Sequence, residues 1–190
     1  MDDIPSLPKF MTRENTCFFT GHRSIPSDTL TDVTLALQKL VVSLYREGFR
    51  YFLCGGAMGF DMLAEQTVIK AARFTDEIHL VLALPCRNQT ERWGHSEHSL
   101  ELLREYQRIK GMASHIVYLS NFYYDGCMRK RNQFMVDNSS LCVTYYNGSN
   151  RGGTAQTVRF ARQAGLEIRN IYGGSFDNPV PVTEPASRQK

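Results

Sequence analysis

The sequence predicts an α/β fold, an open, doubly wound three-layer sandwich on a mainly parallel sheet. Short apolar runs alternate with stretches of helical periodicity over residues 15–172. That alternation implies parallel strands joined by right-handed crossovers. The run 78–84 is apolar until Pro85 stops it, as expected of a strand buried on both faces. Each of the first five strands is followed by glycine, polar or charged residues, which suits a shared cleft beyond the carboxyl ends of the strands.

Residues 16–20 form the first strand. Ser27-Asp28 offers a cap for the first helix, whose Leu30, Val33, Leu37, Leu40, Val41 and Leu44 recur at three- and four-residue spacing until Gly48. Residues 51–54 are the second strand, and 58–72 the second helix, with Met62, Leu63, Val68, Ile69 and Ala72 apolar. After the third strand, 97–111 is a polar amphipathic helix and 115–119 the fourth strand. A basic helix over 125–138, a fifth strand over 141–146, a helix over 153–164 closed by Gly165, and a short strand over 168–172 complete the pattern. Residues 1–14 read as an N-terminal extension. From Gly173 to the end the chain is rich in Pro, Gly and polar residues and is expected to be a flexible tail.

A chain of 190 residues, 42% hydrophobic and 22% charged, suits one domain with a sizeable core. Its net charge of +3 lacks the bias of a dedicated DNA binder. The five cysteines are odd in number, far apart and without a C-x-x-C pair. They argue against a disulfide framework or zinc ribbon and for a reducing compartment. The first dozen residues are acidic with two prolines, and no apolar run is long enough to span a bilayer. A cytoplasmic location and no membrane partner are expected. His95 and His98 share a helical face without an evident third ligand, so no metal is expected.

Candidate ligand contacts follow the strands: Thr20-Gly21-His22-Arg23, then Gly55-Gly56-Ala57-Met58-Gly59 with Asp61, then Gln89, and, after the fifth strand, Asn147 and Gly152-Gly153-Thr154. Glycine lets backbone approach a phosphate, and the helix that follows presents free N–H groups and the positive end of its dipole. Each loop alone is equally well a tight turn with a helix cap. Two on one sheet edge favour phosphate binding, and an aspartate introduced at Gly56 is then expected to abolish it. The pattern is neither the Rossmann G-x-G-x-x-G nor a Walker loop. Asp61 and Glu65, one turn apart, serve either as ribose contacts or acid and base, or as a helix-start acid and a surface glutamate. Arg129, Lys130 and Arg131 form either a phosphate fork or a solvated basic face. Trp93, Tyr123 and Tyr124 suit base stacking or core packing equally.

Taken together and in order, residues 20–23, 55–61, Gln89 to Trp93, Arg129 to Asn132 and Gly152-Gly153-Thr154 resemble the YpsA-like branch of the SLOG superfamily, to which Smf/DprA and the LOG phosphoribohydrolases also belong. The resemblance implies a Rossmann-like fold that binds a nucleotide or an NAD-derived ligand such as ADP-ribose, as a sensor, regulator or sequestering module. No further cofactor is implied. LOG enzymes cleave an N-glycosidic bond with an Arg-Lys motif and a glutamate three residues after the threonine of the second glycine loop. Arg129-Lys130 matches the first, but Thr157 stands at the second. Recognition is therefore expected over turnover. Nucleotide hydrolysis is the alternative, with Arg129, Glu65 and Asp61 as catalytic candidates. Residues 128–133 also resemble a stretch of DprA, which binds single-stranded DNA. With modest charge and no second basic segment, a nucleic-acid partner is not expected. A homo-oligomer is expected, through exposed apolar positions on the fourth and fifth helices.

Overall fold

The computed structural model describes residues 6–94 and 96–174. Six strands form one sheet: β1 (Thr16–Gly21), β2 (Tyr51–Cys54), β3 (His79–Leu84), β4 (His115–Tyr118), β5 (Leu141–Tyr145) and β6 (Glu167–Asn170). Their order is β4-β3-β2-β1-β5-β6 and every pairing is parallel. Between them run α1 (Leu30–Arg46), α2 (Phe60–Ala71), α3 (Glu97–Met112), α4 (Cys127–Asp137) and α5 (Gly152–Gln163). A 3-10 turn at Gln89–Arg92, not signalled by periodicity, precedes α3.

Alternation along each strand sends neighbouring side chains to opposite faces. Cys17 and Phe19 of β1 join the core formed with Leu37, Leu40 and Leu44 of α1, Val68 of α2 and Ile109 of α3. Phe18, between them, joins Met135 and Val136 of α4 and Ala161 of α5. The sheet is thus covered by α1, α2 and α3 on one face and by α4 and α5 on the other, which is the doubly wound sandwich.

Boundaries moved at the loops. Helix α2 starts at Phe60 rather than residue 58, because Gly59 at φ +82° ends a loop that packs against the chain at Arg23. Helix α1 is entered at Thr29 rather than at Ser27-Asp28, and Ser96 caps α3 by accepting from the N–H of Ser99 at 3.1 Å. Strand β6 ends at Asn170, where its pairing with Thr144 ends.

All five cysteines are buried and unpaired. The large exposed hydrophobics correct the expected subunit contact. Among the described residues they include Leu35 and Val42 on α1 and Leu100 and Met112 on α3, and none lies on α4 or α5. The apolar positions of those two helices face the sheet or each other. No helix among the described residues is long and apolar enough to cross a membrane. His95, and the expected tail from residue 175 onward, lie outside the described residues.

Candidate functional site

The strand order runs outward from β1 to β4 on one side and returns to β5 on the other. The loops after β2, β1 and β5 are therefore neighbours at the carboxyl edge, around the switch point where such sheets bind ligands. His22 knits them together. Its backbone N–H donates to Tyr145 O at 3.2 Å, its carbonyl accepts from Phe60 N–H at 3.2 Å, and its Nε2 accepts from the N–H of Asn147 at 3.1 Å. A side chain at Gly59 would strike the backbone carbonyl of Arg23. The loops at 20–23 and 55–61 are in contact through this backbone approach and through the Phe60 side chain, which packs where a Cβ at Gly21 would stand.

The first glycine loop encloses the protein's own acids. Asp61 is 5% exposed and Glu65 0%. Gly56 N–H donates to Glu65 Oε1 at 3.1 Å, and the N–H groups of Gly55 and Ala57 bond the Asp61 carboxylate. Arg131 reaches this cluster from α4, on the other face of the sheet. It is 8% exposed, donates through Nη1 to Gly55 O, and places Nη1 3.9 Å from Asp61 Oδ2. A Cβ at Gly55 would collide with that guanidinium.

Burial pushes Asp61 up to about 6, against the pull of Arg131 and the two backbone donors. It pushes Glu65 well above the usual carboxylate range, helped by the neighbouring Asp61 and opposed by Gly56 N–H. The cluster therefore holds one ion pair, Asp61–Arg131, beside a Glu65 whose charged form burial disfavours. Glu65 Oε2 and Arg131 Nε are buried without a hydrogen-bond partner among the described residues.

Gln89 and Trp93 support this loop from behind. Gln89 is buried, and its Nε2 donates to Gly56 O and Tyr106 Oη, both at 2.9 Å. Trp93 is half-buried and packs edge-on against Tyr106, with ring centroids 5.0 Å apart. Both stand among the expected ligand contacts, and the structure turns both inward. Only Ala57, Met58 and Gly59 of the loop reach partway to the surface.

The second glycine loop is open. Asn147, Arg151, Gly152 and Gly153 are exposed, with Thr154 half-buried. Ser149 N–H donates to Asn147 Oδ1 at 3.0 Å, which shapes the turn. Helix α5 then begins with no acid in its first turn and no side-chain cap, and Gly152 sits at φ +92°. A Cβ built at Gly152 or Gly153 meets nothing within 4 Å. Thr157 is fully buried, its hydroxyl donating to Gly153 O at 2.8 Å, so no acid enters from that position.

Arg129 does not join Asp61 and Glu65. It is exposed, and its guanidinium lies 5.6 Å from the Phe160 ring of α5. Two residues further along the helix, Arg131 faces the cluster instead. Asn132 and Thr20 are buried beneath the edge, and Arg23 is exposed at its rim. Sequence reading missed Tyr106, which holds Gln89, and missed that Glu65 is buried. A signal for the second existed, since Glu65 lies three or four residues from Met62, Val68 and Ile69 and so shares their apolar face.

Comparisons with known proteins agree with this geometry at the level of fold and family. A UPF0398 protein of Halalkalibacterium halodurans is 22% identical over 162 residues, covering 84% of this chain and 80% of the relative. The SPbeta prophage-derived protein YoqJ of Bacillus subtilis is 26% identical over 149 residues, covering 72% and 82%. DNA processing protein A of Streptococcus pneumoniae superposes with a TM-score of 0.55 at 12% identity, over 82% of this chain and 49% of that one. The same protein of Helicobacter pylori, described for its single-stranded DNA binding mode, gives 0.57 at 13%, over 84% and 65%. The chain spans less than two thirds of either of these two, and identities so low show the fold alone. The family match covers residues 18–171, from the second residue-pair of β1 past the end of β6, and so takes in the glycine loops, the buried acids and Arg131. The chain belongs to the YpsA family, the YspA SLOG family, and its sheet is Rossmann-like.

Proposed function

We propose that the chain binds a nucleotide or an NAD-derived ligand such as ADP-ribose, with a phosphate at the N-terminus of α5. The carrying observation is the contrast between the two glycine loops. Around Gly152 and Gly153 the backbone is exposed, open and free of acids, at the positive end of a helix. The N–H groups of Gly55, Gly56 and Ala57 already face Asp61 and Glu65. Arg23 and Asn147 stand at the same rim. Membership of a SLOG family supports a nucleotide-related role. The reading is recognition, as a sensor or regulator acting in the cytoplasm as a homo-oligomer. Nucleotide hydrolysis is disfavoured by the placement of Arg129 and the buried Thr157. Isothermal titration calorimetry with AMP, NAD and ADP-ribose tests it. Binding lost in Gly153→Asp supports it, and heat-silent titrations with all ligands against folded protein overturn it.

A second reading is a single-stranded nucleic-acid partner. The likeness to DNA processing protein A runs against the expectation that excluded one. Exposed Arg87 and Arg92 follow β3 at the β3–β4 end of the same carboxyl edge.

A further inference from the structure

We infer that the loops after β3 and β4 form a base-stacking platform for single-stranded nucleic acid, separate from the glycine loops. This rests on the second reading and assigns it a place.

The platform is built from alternating cations and aromatic rings. The Arg87 guanidinium lies 4.3 Å from the centroid of Tyr118, and that of Arg92 lies 4.1 Å from the centroid of Tyr123. The two loops are tied together: Tyr123 N–H donates to Asn88 Oδ1 at 2.8 Å and Arg87 Nε donates to Asn121 Oδ1 at 3.2 Å. On this support Phe122 is 73% exposed and Tyr124 41%. Exposed aromatics gathered at one spot mark interaction surfaces more than isolated ones do.

Charge selects the occupant. Neither Arg87 nor Arg92 has a carboxylate partner among the described residues. Glu91 and Asp125 are the exposed acids in these segments. A surface of flat rings and unpaired cations suits a ligand of flat rings and regular negative charge. Unpaired bases stack on aromatic side chains with little regard to sequence, while cations follow the phosphates. A duplex hides those faces.

Position separates this surface from the phosphate site. From β4 to β5 the sheet takes four strand steps, roughly 19 Å at the usual interstrand spacing. A mononucleotide at Gly152 does not reach Phe122, whereas a strand of several nucleotides crosses that span.

Fluorescence anisotropy with labelled oligothymidylate and oligoadenylate tests the assignment at low salt. The wild-type chain is expected to bind both, and a matched duplex more weakly. Phe122→Ala with Tyr124→Ala is expected to weaken binding by about tenfold or more, the usual size of losing a base–aromatic stack. AMP binding should be unchanged in that variant. Arg87→Gln with Arg92→Gln should flatten the salt dependence, and it carries the test alone if the aromatic variant does not fold. Absence of oligonucleotide binding by the wild type overturns the second reading and the platform together. Binding that both double variants leave intact overturns the platform alone. Equal affinity for duplex overturns base stacking, and binding of phosphatidylserine vesicles that is lost in the aromatic variant while oligonucleotide binding persists assigns the surface to a membrane instead.

Discussion

The backbone N–H of Gly56 donates to Oε1 of the fully buried Glu65 at 3.1 Å. The glycine loop is therefore folded around an internal carboxyl group whose titration burial pushes well above the usual carboxylate range. Glu65→Gln keeps an acceptor of the same shape and is expected to cost less than ~1 kcal/mol. Glu65→Ala leaves Gly56 N–H unpaired over a cavity and is expected to cost about 3 kcal/mol. Urea unfolding at neutral pH measures both. Equal loss in the two variants would separate the loop's stability from this hydrogen bond.

Asp61 gives stability a pH dependence of unusual sign. Its folded-state value stands at about 6, against an ordinary value of 3.8. The folded protein thus holds this proton more tightly than the unfolded chain. The stabilisation is complete below about pH 4 and is lost as pH rises through about 6, by an amount on the order of 3 kcal/mol. Glu65, also raised, acts in the same direction, from its ordinary 4.5 upward. Glu47 and Glu105, lowered by Arg169 and Arg108, act oppositely. Comparison with Asp61→Asn isolates the term. The difference in unfolding free energy between wild type and variant should change between pH 4 and 6.5, about where Asp61 ionises. A pH-independent difference would place the proton elsewhere.

Arg131 and Arg129 test which arginine belongs to the site. Arg131→Met removes the buried partner of Asp61 and is expected to cost about 3–5 kcal/mol. Arg129→Gln removes an exposed cation over Phe160 and is expected to change stability by less than ~0.5 kcal/mol. Thermal unfolding of the two variants decides the order.

The framework was legible because its signals are local. Strands 51–54 and 78–84 are bounded by glycine and proline, and α1 repeats Leu37, Leu40, Val41 and Leu44 at helical spacing. The site was legible as a set of loops, since parallel topology alone brings residues 20–23, 55–61 and 147–154 to one edge. What the loops do with their donors was not. Whether the N–H of Gly56 faces a ligand or Glu65 depends on the path of a few peptide planes. Whether Arg129 or Arg131 turns inward depends on the rotation of α4, which a run of basic residues does not encode. The burial of Gln89 depends on Tyr106, contributed by another helix.

The two glycine loops give opposite responses to an added side chain. At Gly55 a Cβ meets the Arg131 guanidinium, and at Gly56 it meets Leu84 Cδ2, with Gln89 Nε2 at 3.2 Å. Gly55→Ala and Gly56→Asp are therefore expected to destabilise the fold by about 2 kcal/mol or more. Any loss of binding at Gly56 reports that damage, and not a charge placed in a phosphate site as the sequence suggests. Gly153 has an ordinary backbone conformation, open space around it and a place in the first turn of α5. An aspartate there interacts favourably with the helix dipole, so Gly153→Asp should fold with wild-type stability. The same carboxylate occupies the phosphate position and repels an anion. Calorimetry is expected to show nucleotide binding weakened by at least about tenfold in Gly153→Asp, with its unfolding midpoint unchanged. A Gly153→Asp protein that binds as tightly as wild type would move the phosphate away from α5.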